Sequence, residues 1–310
     1  MQKLLFKPAV GLSSKHLQTI VQAFIPVGAA PASEVLLVDI GNSDRLSCFV
    51  STPKAWTPQD PTIVLIHGLG GSHASSYMVR MAKKLYARND RVVRVNLRNC
   101  GSGYGLSSLP YCAGNSQDIA SVIGLLKDLI PESKISLIGF SLGGNIALKY
   151  AAEYNSHDDQ LDCCIAVCPS LDLKASVDAL NSAAGGLYQK FYLRSLLKQA
   201  APWVNGRKFS SIYDFDDRIT GPLWGYSGAD EYYQICSSGH MLSEISTKTH
   251  ILLAADDPFV PIDTLLCLQP SNAINIWTTD NGGHMGFLGR PISKIQWLDD
   301  HLLHWTSQRQ

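Results

Sequence analysis

Eight short runs rich in apolar and β-branched residues recur along the chain, and most of the later ones are continuous rather than alternating. They are Glu34–Ile40, Arg45–Ser51, Thr62–Ile66, Arg91–Leu97, Lys134–Phe140, Cys163–Cys168, Thr249–Ala255 and Ala273–Thr279. A strand that is apolar on both faces must be covered on both faces, which is how parallel sheets sit. Stretches of helical period lie between the runs. In Ser116–Ile130, Ile119, Val122, Ile123, Leu126, Leu129 and Ile130 follow i, i+3, i+4, i+7 spacing. Tyr77–Arg88 and Asn145–Tyr154 are similar, and Pro291 opens a last helix through Trp297 and Leu302. This alternation predicts an α/β fold, a mostly parallel eight-stranded sheet flanked by helices, in a single domain spanning 1–310. The first two runs, joined by Gly41-Asn42-Ser43-Asp44, predict an antiparallel hairpin.

One stretch breaks the rhythm. From Ser170 to Ser246 no strand pattern occurs; helix-like Leu187–Gln199 is followed by Trp203, Phe209, Tyr213, Phe215, Trp224, Tyr226, Tyr232 and Tyr233. A stretch of that length is too long for a plain loop. It is expected to form a helical cap, residues 170–246, inserted after the sixth strand. Trp224, Tyr226, Tyr232 and Tyr233 are expected in the cap's own core, with the wall of a binding site as the alternative.

Composition excludes several functions. Lys and Arg number 26, Asp and Glu 26, and charged residues make up only 17%. A disordered chain needs a larger net charge and fewer apolar residues. A nucleic-acid binder needs clustered cations to displace counterions, so no nucleic-acid partner is expected. The 8 Cys and 9 His invite a metal reading, but no C-x-x-C occurs and no His pair lies beside a Cys at finger spacing. No metal and no cofactor is expected, and the cysteines of Cys163–Cys168 read as small buried hydrophobes. Cysteines that read as buried hydrophobes, together with the lack of a secretory signature, predict a reducing, cytoplasmic location. No membrane-spanning helix is expected, although Leu17–Ser33 could touch a membrane peripherally.

Gly139-Phe140-Ser141-Leu142-Gly143 falls where a strand turns into a helix. This is the G-x-S-x-G elbow in its required context. Side chains two before and two after the serine would collide across so tight a turn, and the two glycines remove them. A serine hydroxyl is a weak nucleophile until a base takes its proton. In folds built around such an elbow the acid follows the serine and the histidine comes last. Asp256-Asp257-Pro258 follows the run Thr249–Ala255, and Asn281-Gly282-Gly283-His284 follows Ala273–Thr279. His284 is the expected base. Either aspartate could be the acid; Asp257 is taken because it stands one step further out of the strand, leaving Asp256 to cap the turn or accept from backbone N–H groups. The oxyanion hole is expected from the Leu142 N–H and from Leu69 N–H in His67-Gly68-Leu69-Gly70-Gly71, with His67 itself structural.

The H-G-L-G-G loop, the elbow Gly139–Asn145, Ala255-Asp256-Asp257-Pro258-Phe259 and Gly283-His284 together resemble the α/β-hydrolase superfamily. Further stretches are similar to its YheT-like branch: His16-Leu17-Gln18-Thr19, Arg98-Asn99-Cys100-Gly101, Tyr213-Asp214-Phe215-Asp216-Asp217, Thr220, Gly225-Tyr226 and Tyr232-Tyr233. The resemblance covers roughly residues 10–305. It implies a carboxylesterase or acylglycerol-type lipase acting on a small, lipid-like ester. Asn99 stands where the branch shows glycine, and Tyr111-Cys112 where it often shows histidine; both could reshape the pocket. The N-terminal membrane anchor of eukaryotic relatives is not expected here. Low charge and an aromatic cap favour apolar acyl chains, cleaved through an acyl-enzyme on Ser141, His284 and Asp257. A thioesterase or acyltransferase with the same triad, and a non-catalytic binding protein of the same fold, are the alternatives. His157-x4-Asp162, which matches an acyltransferase spacing, reads as a solvated turn; His240 reads as a capping or surface residue; and Asp216-Asp217 reads as helix or turn capping.

Overall fold

Residues along the central strands face two cores in turn. Ile63 and Leu65 pack into one cluster while Val64 and Ile66 pack into the other, and the same alternation runs through Val92–Val95 and Cys163–Val167. The computed structural model describes residues 1–154, 161–290 and 297–307. Its strands are β1 (Gln2–Lys3), β2 (Glu34–Asp39), β3 (Arg45–Ser51), β4 (Thr62–Ile66), β5 (Arg91–Val95), β6 (Ile135–Phe140), β7 (Cys163–Val167), β8 (Thr249–Ala254) and β9 (Ile274–Thr279). They form one sheet in the order β1-β9-β8-β7-β6-β4-β5-β3-β2. Only the β2–β3 and β3–β5 pairings are antiparallel. The strands β4, β6, β7 and β8 are buried at every residue, which accounts for their unbroken apolar sequences.

The sheet therefore has nine strands rather than the eight expected. The addition, β1, pairs in parallel with the edge strand β9. Two residues, both exposed, carry no hydrophobic pattern to read; the pairing is backbone only, continued by Leu4 N–H to the Thr278 carbonyl at 2.8 Å. The hairpin between β2 and β3 turns through Gly41, Asn42 and Ser43, all at positive φ.

On one side of the sheet lie α1 (Lys15–Phe24) and α2 (Ser76–Ala87), the latter packed with the C-terminal helix Trp297–Ser307; on the other lie α3 (Gln117–Leu129) and α4 (Leu142–Glu153). Pro291, read as the start of that last helix, lies outside the described residues. Between β7 and β8 the chain is wholly helical and irregular: α5 (Leu173–Ser182), α6 (Leu187–Gln199), α7 (Ala201–Val204), α8 (Ile212–Phe215), a π-turn at Asp216–Thr220, α9 (Gly221–Leu223) and α10 (Ala229–Cys236). The Asp172 carboxylate caps α5 by accepting from Ala175 N–H, and Ser211 caps α8 through Asp214 N–H. Trp224, Tyr226, Tyr232 and Tyr233 pack within this segment and against the sheet. The Trp224 indole donates to the Pro110 carbonyl and stacks under Arg98, Tyr232 OH accepts from Ala113 N–H, and Tyr233 OH donates to Asp216. Among the described residues no helix is long and apolar enough to cross a membrane.

Strand order reverses at β4, since β5 lies on one side of it and β6 on the other. The crevice beyond the carboxyl ends of two such strands is where ligands bind in open α/β sheets. Here it lies between the loop after β4 and the turn after β6.

Candidate active site

Ser141 occupies that turn at φ 53° and ψ −119°, a strained conformation for a residue with a side chain. The flanking glycines are obligatory. A Cβ on Gly139 would lie 2.2 Å from the Gly143 carbonyl oxygen, and one on Gly143 only 2.5 Å from the carbonyl oxygens of Ile66 and His67. The turn thus presses α4 against the end of β4 and puts Ser141 at the helix N-terminus, where orphan N–H groups and the helix dipole favour negative charge.

His284 Nε2 is 2.8 Å from Ser141 Oγ, and His284 Nδ1 is 2.8 Å from Asp257 Oδ2. The other carboxylate oxygen, Asp257 Oδ1, accepts from the N–H groups of Phe259 (2.8 Å) and Val260 (3.1 Å). Asp256 does something different: its Oδ1 accepts from Gly283 N–H at 2.9 Å, so it braces the histidine loop rather than the imidazole. Burial raises the Asp256 pKa above the ordinary aspartate value. Both His284 and Asp257 are buried.

The histidine loop is clamped from outside by α1. The Thr19 hydroxyl accepts from His284 N–H (2.9 Å) and donates to the Lys15 carbonyl (2.8 Å). The Gln18 side chain donates to the Leu288 carbonyl and accepts from Leu288 N–H. At Gly283, φ is +56° and a Cβ would lie 2.4 Å from the Lys15 carbonyl oxygen, so only glycine lets α1 approach this closely. Nothing in the polarity of His16-Leu17-Gln18-Thr19 betrayed this contact with a residue 265 positions away.

The loop after β4 is equally well held. Leu97 N–H donates to His67 Nε2, leaving the Nδ1 proton to the Gly68 carbonyl at 2.8 Å. Burial lowers the His67 pKa to about 4, so the ring is a neutral strut. Tyr77 OH accepts from Gly68 N–H. A Cβ on Gly68 would lie 3.1 Å from Ser141 Cβ, so this backbone runs directly beside the serine. Leu69 lies on that loop and Leu142 is the first residue of α4.

A cavity of about 480 Å³ opens above Ser141 and His284, within the range of small-molecule sites. Its walls are α1 (Thr19, Ile20, Gln22, Ala23, Phe24), the loop Gly68–Gly71, and Leu187, Tyr188, Phe191 and Tyr192 of α6. The aromatic tract from Trp203 to Tyr233 takes no part in this wall. Tyr188 and Phe259 meet edge to face at 4.6 Å, and Phe259 packs on the His284 ring at 4.7 Å. Asn99 adopts φ +56°, the left-handed backbone that asparagine tolerates in place of glycine, and bonds within its own loop. Neither it nor Tyr111 or Cys112 lines the cavity, and exposed His240 borders a different one. His157 lies outside the described residues.

One cysteine does reach the site. Cys168, at the end of β7, lies with Asp257 and His284 in a single buried group, and burial, aided by the Asp257 carboxylate, holds its thiol pKa well above the ordinary value. This is the group among the described residues close enough to share a metal ion. Its Asp257 and His284 atoms already bond each other, Ser141 and two backbone amides, so these donor atoms are taken up within the protein.

The sheet order and the elbow are those of the α/β-hydrolase fold. Residues 61–212 match the family model described as alpha/beta hydrolase fold. YheT of Escherichia coli, named as an esterase, is 27% identical over 97% of this chain and 93% of its own length. The monoacylglycerol lipase of Saccharomyces cerevisiae is 29% identical over 73% of this chain, and the match spans just over half, 55%, of that protein. An esterase structure from Pyrococcus furiosus aligns at a TM-score of 0.60, covering 97% of this chain and 98% of that one at 16% identity, a likeness of fold. The chain thus has the α/β-hydrolase fold, and along nearly its whole length its sequence is similar to that of YheT.

Proposed function

We propose that the protein is a serine hydrolase of carboxylic esters with apolar acyl chains. The observation that carries this reading is the line Ser141 Oγ–His284–Asp257, with both contacts at 2.8 Å, at the floor of a cavity walled largely by apolar side chains. Ser141 attacks the ester carbonyl as His284 Nε2 takes its proton, and the imidazolium so formed is stabilised by Asp257 at Nδ1. The tetrahedral oxyanion is received by the N–H groups of Leu142 and Leu69, each contributing about 3 kcal/mol to the barrier difference. His284 returns the proton to the leaving alcohol, and water repeats the cycle on the acyl-enzyme. The helical segment 170–246 acts as a cap, with α6 supplying the acyl-side wall. Support comes from the names of two relatives, an esterase and a monoacylglycerol lipase.

A fluorophosphonate probe is expected to label the wild type and to leave Ser141→Ala unlabelled. The same variant is expected to fold while its kcat on p-nitrophenyl esters falls by about 10⁴ or more. Wild-type turnover by Ser141→Ala refutes the assignment. Faster transfer from acyl-CoA, or to an added alcohol, than hydrolysis of simple esters would replace it with thioesterase or acyltransferase chemistry.

A further inference from the structure

Helix α1 is amphipathic in the reverse sense for a helix on a globular surface. Its buried residues are Gln18, Thr19 and Gln22, whereas Leu17 and Ile20 are each 43% exposed and Phe24 78%. The inward face is polar because it serves the histidine loop, and the apolar stripe is left facing water. Helix α6 adds Leu187 at 65% and Phe191 at 69% exposure. Ile20, Phe24, Leu187 and Phe191 all border the cavity above Ser141, so the two helices present one apolar rim around its opening. Apolar side chains gathered at a functional opening mark an interaction surface rather than scattered exposure.

The charge on the same helices has one sign. Lys15 on α1 and Lys190, Arg194 and Lys198 on α6 are exposed, and neither helix contains an acid. Lys190 stands three residues after Leu187, and Arg194 three after Phe191, so cations flank the apolar residues along one face.

We propose that α1 and α6 form a docking rim that seats the protein on an anionic lipid surface with the cavity opening toward the lipid. The proposal rests on the reading of Ser141 as an attacker of apolar esters, which are found in such surfaces. Phenyl and aliphatic side chains flanked by lysine and arginine are the composition of interfacial helices, and a negative surface attracts each cation. A second copy on this rim would set the cations against their own equivalents and close the opening. A bilayer does neither.

The test is cosedimentation of the full chain with phosphatidylcholine vesicles, with and without phosphatidylglycerol, at low and high salt. The wild type is expected to bind the anionic vesicles, less so at high salt. Leu17→Asp, Phe24→Asp and Lys190→Glu/Arg194→Glu are each expected to lower the partition about tenfold at an unchanged Tm. Ser141→Ala is expected to bind like the wild type, which separates docking from hydrolysis. An active wild type that fails to bind overturns the rim alone, and a binding wild type that hydrolyses no ester overturns the ester reading alone. Equal binding by all variants also overturns the rim. So does a wild-type dimer that Leu17→Asp dissociates, which would make this face a self-association surface.

Discussion

Replacing Thr19 by valine exchanges a hydroxyl for a methyl group of nearly the same shape, so no cavity opens. Two hydrogen bonds are lost: His284 N–H loses its acceptor at 2.9 Å, and the Lys15 carbonyl loses its side-chain donor at 2.8 Å. A buried N–H without a partner costs about 1–3 kcal/mol, so the loop carrying His284 is expected to shift rather than leave it bare. If about 2 kcal/mol of positioning is lost from the transition state, kcat falls about thirtyfold. The same energy lowers Tm by only about 3 °C in a chain of this size, because the unfolding entropy scales with length. Stopped assays with p-nitrophenyl butyrate and a thermal melt separate the two effects. Thr19 is a positioning residue in this account, so Thr19→Ser, which keeps the hydroxyl, must restore kcat. A Thr19→Val enzyme within twofold of wild-type kcat, or a Thr19→Ser enzyme as slow as the valine variant, refutes the reasoning.

Three further outcomes are expected. Asp257→Asn should lower kcat by about 10³–10⁴ while Asp256→Asn, whose amide oxygen can still accept from Gly283 N–H, should lose less than about tenfold; the reverse order in ester hydrolysis would reassign the acid. Asp216, buried beneath Thr220 and Tyr233, has its pKa raised to about 6 by burial. The folded state therefore favours its neutral form, and this contribution, about 3 kcal/mol, is complete below about pH 4 and lost as pH rises through about 6. Relative to Asp216→Asn, wild-type Tm should decline across that interval; a constant difference would refute the shift. Gly143→Ala places a Cβ 2.5 Å from two backbone oxygens, whereas Gly144→Ala meets the Pro169 side chain at 3.0 Å. The first should cost well over about 3 kcal/mol in a urea titration and the second clearly less.

What the sequence made legible was local. The buried strands announce themselves because double-sided burial demands continuous apolar residues, and the elbow does so because Gly139 and Gly143 are sterically required. His284 and the aspartate pair were legible because they end strands on the same edge of one sheet. The cavity wall was not, since composition drew attention to the aromatics from Trp203 to Tyr233. Whether an aromatic lines a site or fills a core depends on how its helix docks, and the docked face of α6 presents Tyr188 and Tyr192. The role of α1 was hidden for the opposite reason: its hydrophobic stripe points away from the protein, so periodicity misidentifies the packed face. Cys168 reads as a buried strand residue, and so it is, but the positive φ that ends its strand turns it toward Asp257. A two-residue strand held by backbone bonds has no signature at all.

Asn145, on the first turn of α4, pins the far end of the inserted segment to the helix that follows Ser141. Its amide donates to the carbonyls of Ala113 and Cys236 and accepts from Ser238 N–H, all within fully buried surroundings. Lifting that end would strand several polar groups at once, each at a cost of about 1–3 kcal/mol. The segment's other end is tied to the same place, Leu173 N–H donating to Ser237 Oγ and Gly239 N–H to the Leu171 carbonyl, whereas the kink into α6 runs through Ala184, Gly185 and Gly186, all at positive φ. Both ends of the segment thus close on the first turn of the helix that follows Ser141, and a change at Asn145 would register in the rigidity of that helix before it altered the cavity wall on α6.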